Sequence, residues 1–176
     1  MRGRDEGSIP PHPGPRAVGF DPGLADTGYA ALEGGQRVPT VLGTGVIRTS
    51  ARESLEARLE RLFDEARAVL ERFSPDLVII EDVFSAPSIP RTAILMGHAR
   101  AAVCLAGRRQ RVALVSVAPA EVKRAVTASG AAPKAQVARA MQALLALPVP
   151  PRPSHVADAL ALAYTGLSRA RGLSGR

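Results

Sequence analysis

The stretch Ala17-Val18-Gly19-Phe20-Asp21-Pro22-Gly23-Leu24-Ala25-Asp26-Thr27-Gly28-Tyr29-Ala30 decides how the rest of the chain is arranged. A short apolar run ends in an acid, the chain turns at Pro-Gly, and a second run begins near Gly28. Pro22 has no amide proton to extend a ladder and Gly23 tolerates positive φ, so the first strand stops and folds back. Asp21 is left where a strand leaves the core. Alone it is equally a turn-initiating aspartate. A second apolar strand ending in an acid, Asp76-Leu77-Val78-Ile79-Ile80-Glu81, gives it a counterpart.

Working outward, residues 1–15 carry Pro10, Pro11, Pro13 and Pro15 among glycines without periodicity, and are expected to be a disordered leader. Strands are expected at Arg16–Phe20, Tyr29–Glu33 and Val41–Arg48, with Gly34-Gly35 at a hairpin-like connection, giving an antiparallel meander. Ser50 and Glu53 form a capping box for a long amphipathic helix with Leu55, Leu59, Leu62, Phe63, Ala66, Val69, Leu70 and Phe73 on one face. Ser74-Pro75 ends it, and Leu77–Ile80 is apolar throughout, as a buried parallel strand is. A loop from Asp82 to Pro90 follows at the carboxyl end of that strand, where open α/β sheets bind ligands. A small-residue helix spans about Arg91 to Ala106, stopped by Gly107, and Val112–Val117 is the fifth strand. Pro119 opens a short helix, Lys134 lies near the start of another, Pro148–Pro153 is a stiff connector, and the last helix starts at Ser154 or His155. The basic end 169–176 is expected to be a flexible tail. The order predicts an α/β domain over 16–168: a five-stranded mixed sheet with helices on both faces. A right-handed crossover sets strands one and four parallel and adjacent, with Asp21 and Glu81 at one edge.

The 176 residues suffice for one domain with a proper core. No apolar run approaches the roughly 20 residues of a membrane span, and residues 1–15 lack a signal-peptide stretch, so a cytoplasmic protein is expected. The single cysteine, Cys104, cannot form an internal disulfide. The net charge of +7 is uneven: residues 1–82 hold 10 Lys+Arg against 14 Asp+Glu, residues 83–176 hold 13 against two, Glu121 and Asp158. A half with a net charge of 13 − 2 = +11 favours a polyanion, nucleic acid first, although an arginine-rich composition with a solvated surface gives the same count. Only Lys123 and Lys134 among the 23 basic residues are lysines, which suits sites that need a compact ammonium.

His155 and Asp158, three apart at a helix start, share a helical face. If that terminus meets the Asp21–Glu81 edge, three carboxylates and an imidazole converge. This set suits Mg²⁺ or Mn²⁺ better than structural zinc, and such sites commonly hold two ions about 3.5–4 Å apart for phosphodiester cleavage. Singly, Asp158 also suits the helix dipole and His155 a surface position. Asp82 is expected to point away from Glu81 and to be structural, and Asp26 to be a turn residue. Lys123, Arg124 and Lys134 lie between the fifth strand and the last helix, where they could contact phosphates. Phe84, three residues after Glu81, could stack on a base or wedge between bases, or fold back into the core.

Gly19-Phe20-Asp21-Pro22-Gly23 with Thr27-Gly28-Tyr29, then Ile80-Glu81-Asp82-Val83-Phe84, Gly97-His98-Ala99-Arg100 and His155-Val156-Ala157-Asp158-Ala159-Leu160-Ala161 resemble, in order, the motifs of the RuvC family of Holliday-junction resolvases. The resemblance covers residues 16–168. It implies a ribonuclease H-like fold and a homodimer that binds four-way junction DNA and makes paired symmetric nicks, in recombination and repair, alongside a branch-migration motor of the RuvA/RuvB type. It implies that Asp21, Glu81 and Asp158 bind metal, with His155 where some members carry Asp, and that Phe84 probes bases at the crossover. Lys123 and Lys134 then lie near the scissile phosphate, and the helix from about Arg91 to Ala106 forms the dimer interface. A general nuclease of the same fold is the main rival reading, and an inactive junction binder is another. An actin-like ATPase needs a second such domain that 176 residues cannot supply.

Overall fold

The computed structural model describes residues 13–82 and 90–174. Residues 1–12 of the expected leader, and Phe84 with the rest of 83–89, lie outside the described residues. The strands are β1 (Arg16–Asp21), β2 (Asp26–Glu33), β3 (Thr40–Arg48), β4 (Leu77–Glu81) and β5 (Ala113–Val117). The helices are α1 (Leu55–Phe73), α2 (Pro90–Arg109), α3 (Pro119–Thr127), α4 (Lys134–Leu144) and α5 (Ser154–Ser174). One mixed sheet has the order β3-β2-β1-β4-β5. The first three strands are the antiparallel meander, and β1, β4 and β5 run parallel, with Phe20 opposite Ile80 and Glu81 opposite Val117.

Alternation along the central strands divides the core. Val18 and Phe20 of β1 with Val78 and Ile80 of β4 pack against α1 and α2, whereas Ala17 and Ile79 pack against α3, α4 and α5. Phe20, Ile79 and Ile80 are fully buried, and side chains of this size each contribute roughly 1.5–3 kcal/mol when removed from water. Because both faces are covered, β4 has no polar position before Glu81. α5 is buried on nearly every side and lies across β1 and β2. Among the described residues no helix is long and apolar enough to cross a membrane.

Four expectations are corrected. Ser54, not Ser50, caps α1, its hydroxyl accepting from the Ala57 amide at 3.4 Å. The Ser50–Glu53 pair closes a separate turn, with the Ser50 amide donating to Glu53 Oε2 at 3.0 Å and the Glu53 amide to the Ser50 carbonyl at 3.1 Å. α2 runs through Gly107 to Arg109. A Cβ at Gly107 would lie 2.7 Å from Leu114 Cδ1, so that glycine admits a strand neighbour and does not end the helix. α5 continues past residue 168 to Ser174, with Arg169 paired to Glu121. Residues 13–15, expected in the leader, are ordered against β2: the Gly34 amide donates to the Pro15 carbonyl at 2.8 Å.

Candidate active site

The sheet register brings the two strand-end acids together. Phe20 pairs with Ile80, so Asp21 and Glu81 follow side by side where β1 and β4 leave the ladder. Side chains alternate, so Glu81 takes the same face as Ile79, and Asp21 the same face as Ala17, toward α5. Asp82, one residue on, turns to the opposite side and lies 3.6 Å from the Arg100 guanidinium of α2.

The start of α5 is set on that edge by a missing side chain. Gly28 pairs with Asp21 across β1 and β2, and a Cβ there would fall 2.2 Å from the His155 carbonyl oxygen. Gly19 does the same one turn further along, where a Cβ would lie 2.3 Å from the Ala159 oxygen. Only glycine lets the helix backbone lie directly on the strands at these points. His155 Nδ1 is consequently 2.7 Å from Asp21 Oδ2. Asp158, one turn along, has Oδ2 2.9 Å from Lys134 Nζ at the start of α4. The turn after Asp21 is braced as well: Thr27, fully buried, donates its hydroxyl to the Gly23 carbonyl at 2.7 Å and accepts the Gly23 amide at 3.2 Å. Thr49 donates to the Leu24 carbonyl, and Arg58 Nε holds Thr49 at 2.9 Å.

Asp21, Glu81, His155 and Asp158 line one cleft of about 530 Å³, together with Lys123 and Lys134 and with Thr92, Leu95 and Met96 of α2. Burial pushes the Asp21 carboxyl above its ordinary range. The His155 hydrogen bond opposes this and the Asp158 charge adds to it. Glu81 is pushed up to about 7, first by burial and then by the charges of Asp21 and Asp158. Burial pulls the Lys134 ammonium down, but the Asp158 hydrogen bond and the charges of Asp158, Asp21 and Glu81 outweigh it and leave the group raised. Burial and the crowding of acids thus disfavour the charged forms of Asp21 and Glu81. Three carboxylates and an imidazole fit a hard divalent cation, because such an ion favours the charged carboxylates. Among the described residues these donors do not already close around a common point. His155 and Lys134 occupy carboxylate oxygens that a cation would take over.

The other predicted residues divide. Lys123 and Lys134 reach the cleft, but Arg124 is exposed on α3 with its guanidinium beside Gly130 and does not line it. On α3, Arg124 is one residue and so about 100° round from Lys123, which turns it away from the cleft. Asp26 begins β2 and lies 3.3 Å from Arg48, a strand-end pair in place of a lone turn residue. Two more residues have roles here: Arg58, which carried no local signal, and Arg100, which closes the Gly97-His98-Ala99-Arg100 motif without a role assigned to it. Arg58 belongs to the polar face of an amphipathic helix, yet lines the cleft. Arg100 donates to the Glu81 carbonyl at 3.3 Å and to Ser116 Oγ at 2.5 Å, and so clamps the end of β4 to β5.

The family model of crossover junction endodeoxyribonuclease RuvC matches residues 17–166, nearly the whole described chain. The chain belongs to the RuvC family. A RuvC of Thermomicrobium roseum is 41% identical over 160 residues, covering 90% of this chain and 97% of the relative. Thermus thermophilus RuvC in complex with a Holliday junction substrate superimposes with a TM-score of 0.83 at 33% identity, covering 89% of this chain and 96% of that one. The yeast mitochondrial Holliday junction resolvase Ydc2 shares the fold, with a TM-score of 0.65 at 14% identity over 94% of this chain and 82% of that one. The five-stranded mixed sheet with helices on both faces is therefore the ribonuclease H-like fold of RuvC, and the chain is a member of a family of phosphodiester-cleaving endonucleases.

Proposed function

We propose that this RuvC resolves four-way DNA junctions by metal-assisted hydrolysis at the Asp21–Glu81–His155–Asp158 cleft, one cut from each subunit of a homodimer. The observation that carries the reading is the convergence of these four side chains at the β1–β4 edge, where Glu81 titrates only at about 7. A neutral binding cleft gains nothing from carboxylates that repel each other and the phosphates they face. Asp21, Glu81, Asp158 and the His155 imidazole would hold Mg²⁺ or Mn²⁺, two ions per site, and the imidazole favours Mn²⁺ more than an all-carboxylate set does. The bound metal would activate water and stabilise the charge that develops on the phosphate. Lys123 and Lys134 place ammonium groups against the same phosphate, and the polar contacts of the Thr27 turn hold Asp21 still while charge builds up. Phe84 is the residue for probing bases at the crossover, and Arg124, outside the cleft, is left for contacts to more distant backbone.

The homodimer reading is supported by α2. Ile94 and Leu105 are 58% and 60% exposed although both are large and apolar. Eleven residues apart, they fall within about 20° of each other round the helix and about 16 Å apart along it, forming one stripe for a second copy to cover. A twofold dimer presents two clefts to a twofold junction. The same reading places the protein in the cytoplasm, working with a branch-migration motor of the RuvA/RuvB type.

The test is cleavage of a labelled four-way junction with Mg²⁺ or with Mn²⁺ by wild type and Asp21→Asn, with linear duplex, single strand and RNA–DNA hybrid alongside. Paired symmetric nicks confined to the junction are expected. They should fall about 10²–10³-fold in Asp21→Asn, the scale of losing one transition-state stabiliser, with junction binding retained. Equal cutting of hybrid or single strand would replace the resolvase by a general nuclease, and binding without cutting under either metal would leave an inactive junction reader.

A further inference from the structure

We infer that the groove beside the active-site cleft, between α4 and the 148–153 connector, is a second phosphate-binding subsite. It would hold the backbone of the DNA strand that continues away from the scissile bond. The inference rests on the resolvase reading for which strand is held. The groove has a volume of about 460 Å³ and is lined by Arg139, Arg152 and Ser154, and it shares Lys134 and Asp158 with the catalytic cleft, so the two are continuous. Its floor on α4 is small, Ala135 and Ala138, and its far wall is Pro150, Pro151 and Pro153, whose fixed φ holds that wall with little conformational freedom to lose. A groove with an apolar floor and cationic rims fits a sugar-phosphate backbone.

The two arginines of this groove have no counterion among the described residues. Among the described residues, Arg139 and Arg152 make no hydrogen bond or ion pair. The only two acids in residues 83–176 are already engaged, Glu121 by Arg169 and Asp158 by Lys134. Two exposed guanidiniums that line the groove, with the N-terminal residue of α5 also in its lining, are therefore left for a ligand, the one acid there, Asp158, being held by Lys134. Phosphate contacts of this kind position the duplex and carry no sequence information.

Counterion release makes the subsite measurable. Each phosphate contact contributes about 0.9 to the slope of log affinity against log salt, so losing both arginines should make the slope shallower by about 1.8. Over a fourfold rise, from about 50 to about 200 mM salt, wild type should lose about 12-fold more affinity than Arg139→Gln/Arg152→Gln. Fluorescence anisotropy with the full chain in EDTA, on a four-way junction and on linear duplex, reads this directly. Each single variant should show about half the change, which keeps the test open if the double variant folds poorly, and Arg→Lys at both positions should restore the wild-type slope. Arg37→Gln, in the β2–β3 connection at the opposite end of the sheet, removes the same charge and should leave the slope unchanged. A wild-type slope in the Gln variants, or an equal change in Arg37→Gln, would overturn the subsite. Loss of junction preference in wild type would instead sink the resolvase reading, while the duplex slopes would still decide the groove.

Discussion

Replacing Glu81 with glutamine should stabilise the metal-free protein at alkaline pH while destroying its activity. The Glu81 carboxyl titrates at about 7 in the folded protein and at 4.5 ordinarily, because it is buried beside Asp21 and Asp158. Between those two values the native state keeps a proton that the unfolded chain has released, so native stability falls as pH rises through this window and is level above about 7. At about 1.4 kcal/mol per pH unit the accumulated cost reaches about 3 kcal/mol, and water in the open cleft reduces it toward about 2. Glutamine carries no charge and escapes it. The stability difference between Glu81→Gln and wild type should therefore be near zero at pH 4.5 and rise to about 2–3 kcal/mol in favour of the variant at pH 8. Urea unfolding in EDTA at a series of pH values measures it. With a slope of about 2 kcal/mol per molar urea the midpoint should differ by about 1–1.5 M at pH 8. Added Mn²⁺ should close the gap, because bound cation offsets the charge in wild type and finds a ligand missing in the variant. A difference that stays flat with pH, or a variant less stable than wild type at pH 8, would refute the account of why the acids are crowded.

Two further outcomes follow from the geometry. Gly28→Ala places a Cβ 2.2 Å from the His155 carbonyl and must push the first turn of α5 outward by more than about 1 Å. Junction cleavage should fall about 10²-fold and stability by about 1–3 kcal/mol, read by single-turnover rates and urea midpoints. Arg100→Gln frees the Glu81 carbonyl and Ser116 and leaves Asp82 facing an amide. As a positioning residue it should raise the metal concentration needed for half-maximal cutting while junction affinity in EDTA stays unchanged, and Arg100→Lys should recover part of the loss.

The fold was legible because its signals are local. The meander announces itself at Pro22-Gly23 and Gly34-Gly35, and β4 in four unbroken apolar residues, so strand order and the pairing of Asp21 with Glu81 follow from the handedness of one crossover. Where local signals competed, the tertiary structure chose. The Ser50–Glu53 pattern pointed to a cap that Ser54 supplies, while Gly107 looks like a helix stop until Leu114 is seen to need the space.

For the candidate site the division lies between residue type and surroundings. The sequence by itself settles that three carboxylates and one imidazole stand at element ends and that two rare lysines lie between the fifth strand and the last helix, because strand alternation and helical spacing are short-range rules. It cannot say how far Glu81 is desolvated, that Arg58 reaches the cleft from the polar face of its helix while Arg100 holds the end of β4, or that Arg124 points away while Lys123 does not. It also cannot say that Arg139 and Arg152 line one groove whose single acid, Asp158, is already paired with Lys134. Desolvation, charge crowding and the absence of a counterion are sums over neighbours distant in the chain, and only the packed structure brings those neighbours together.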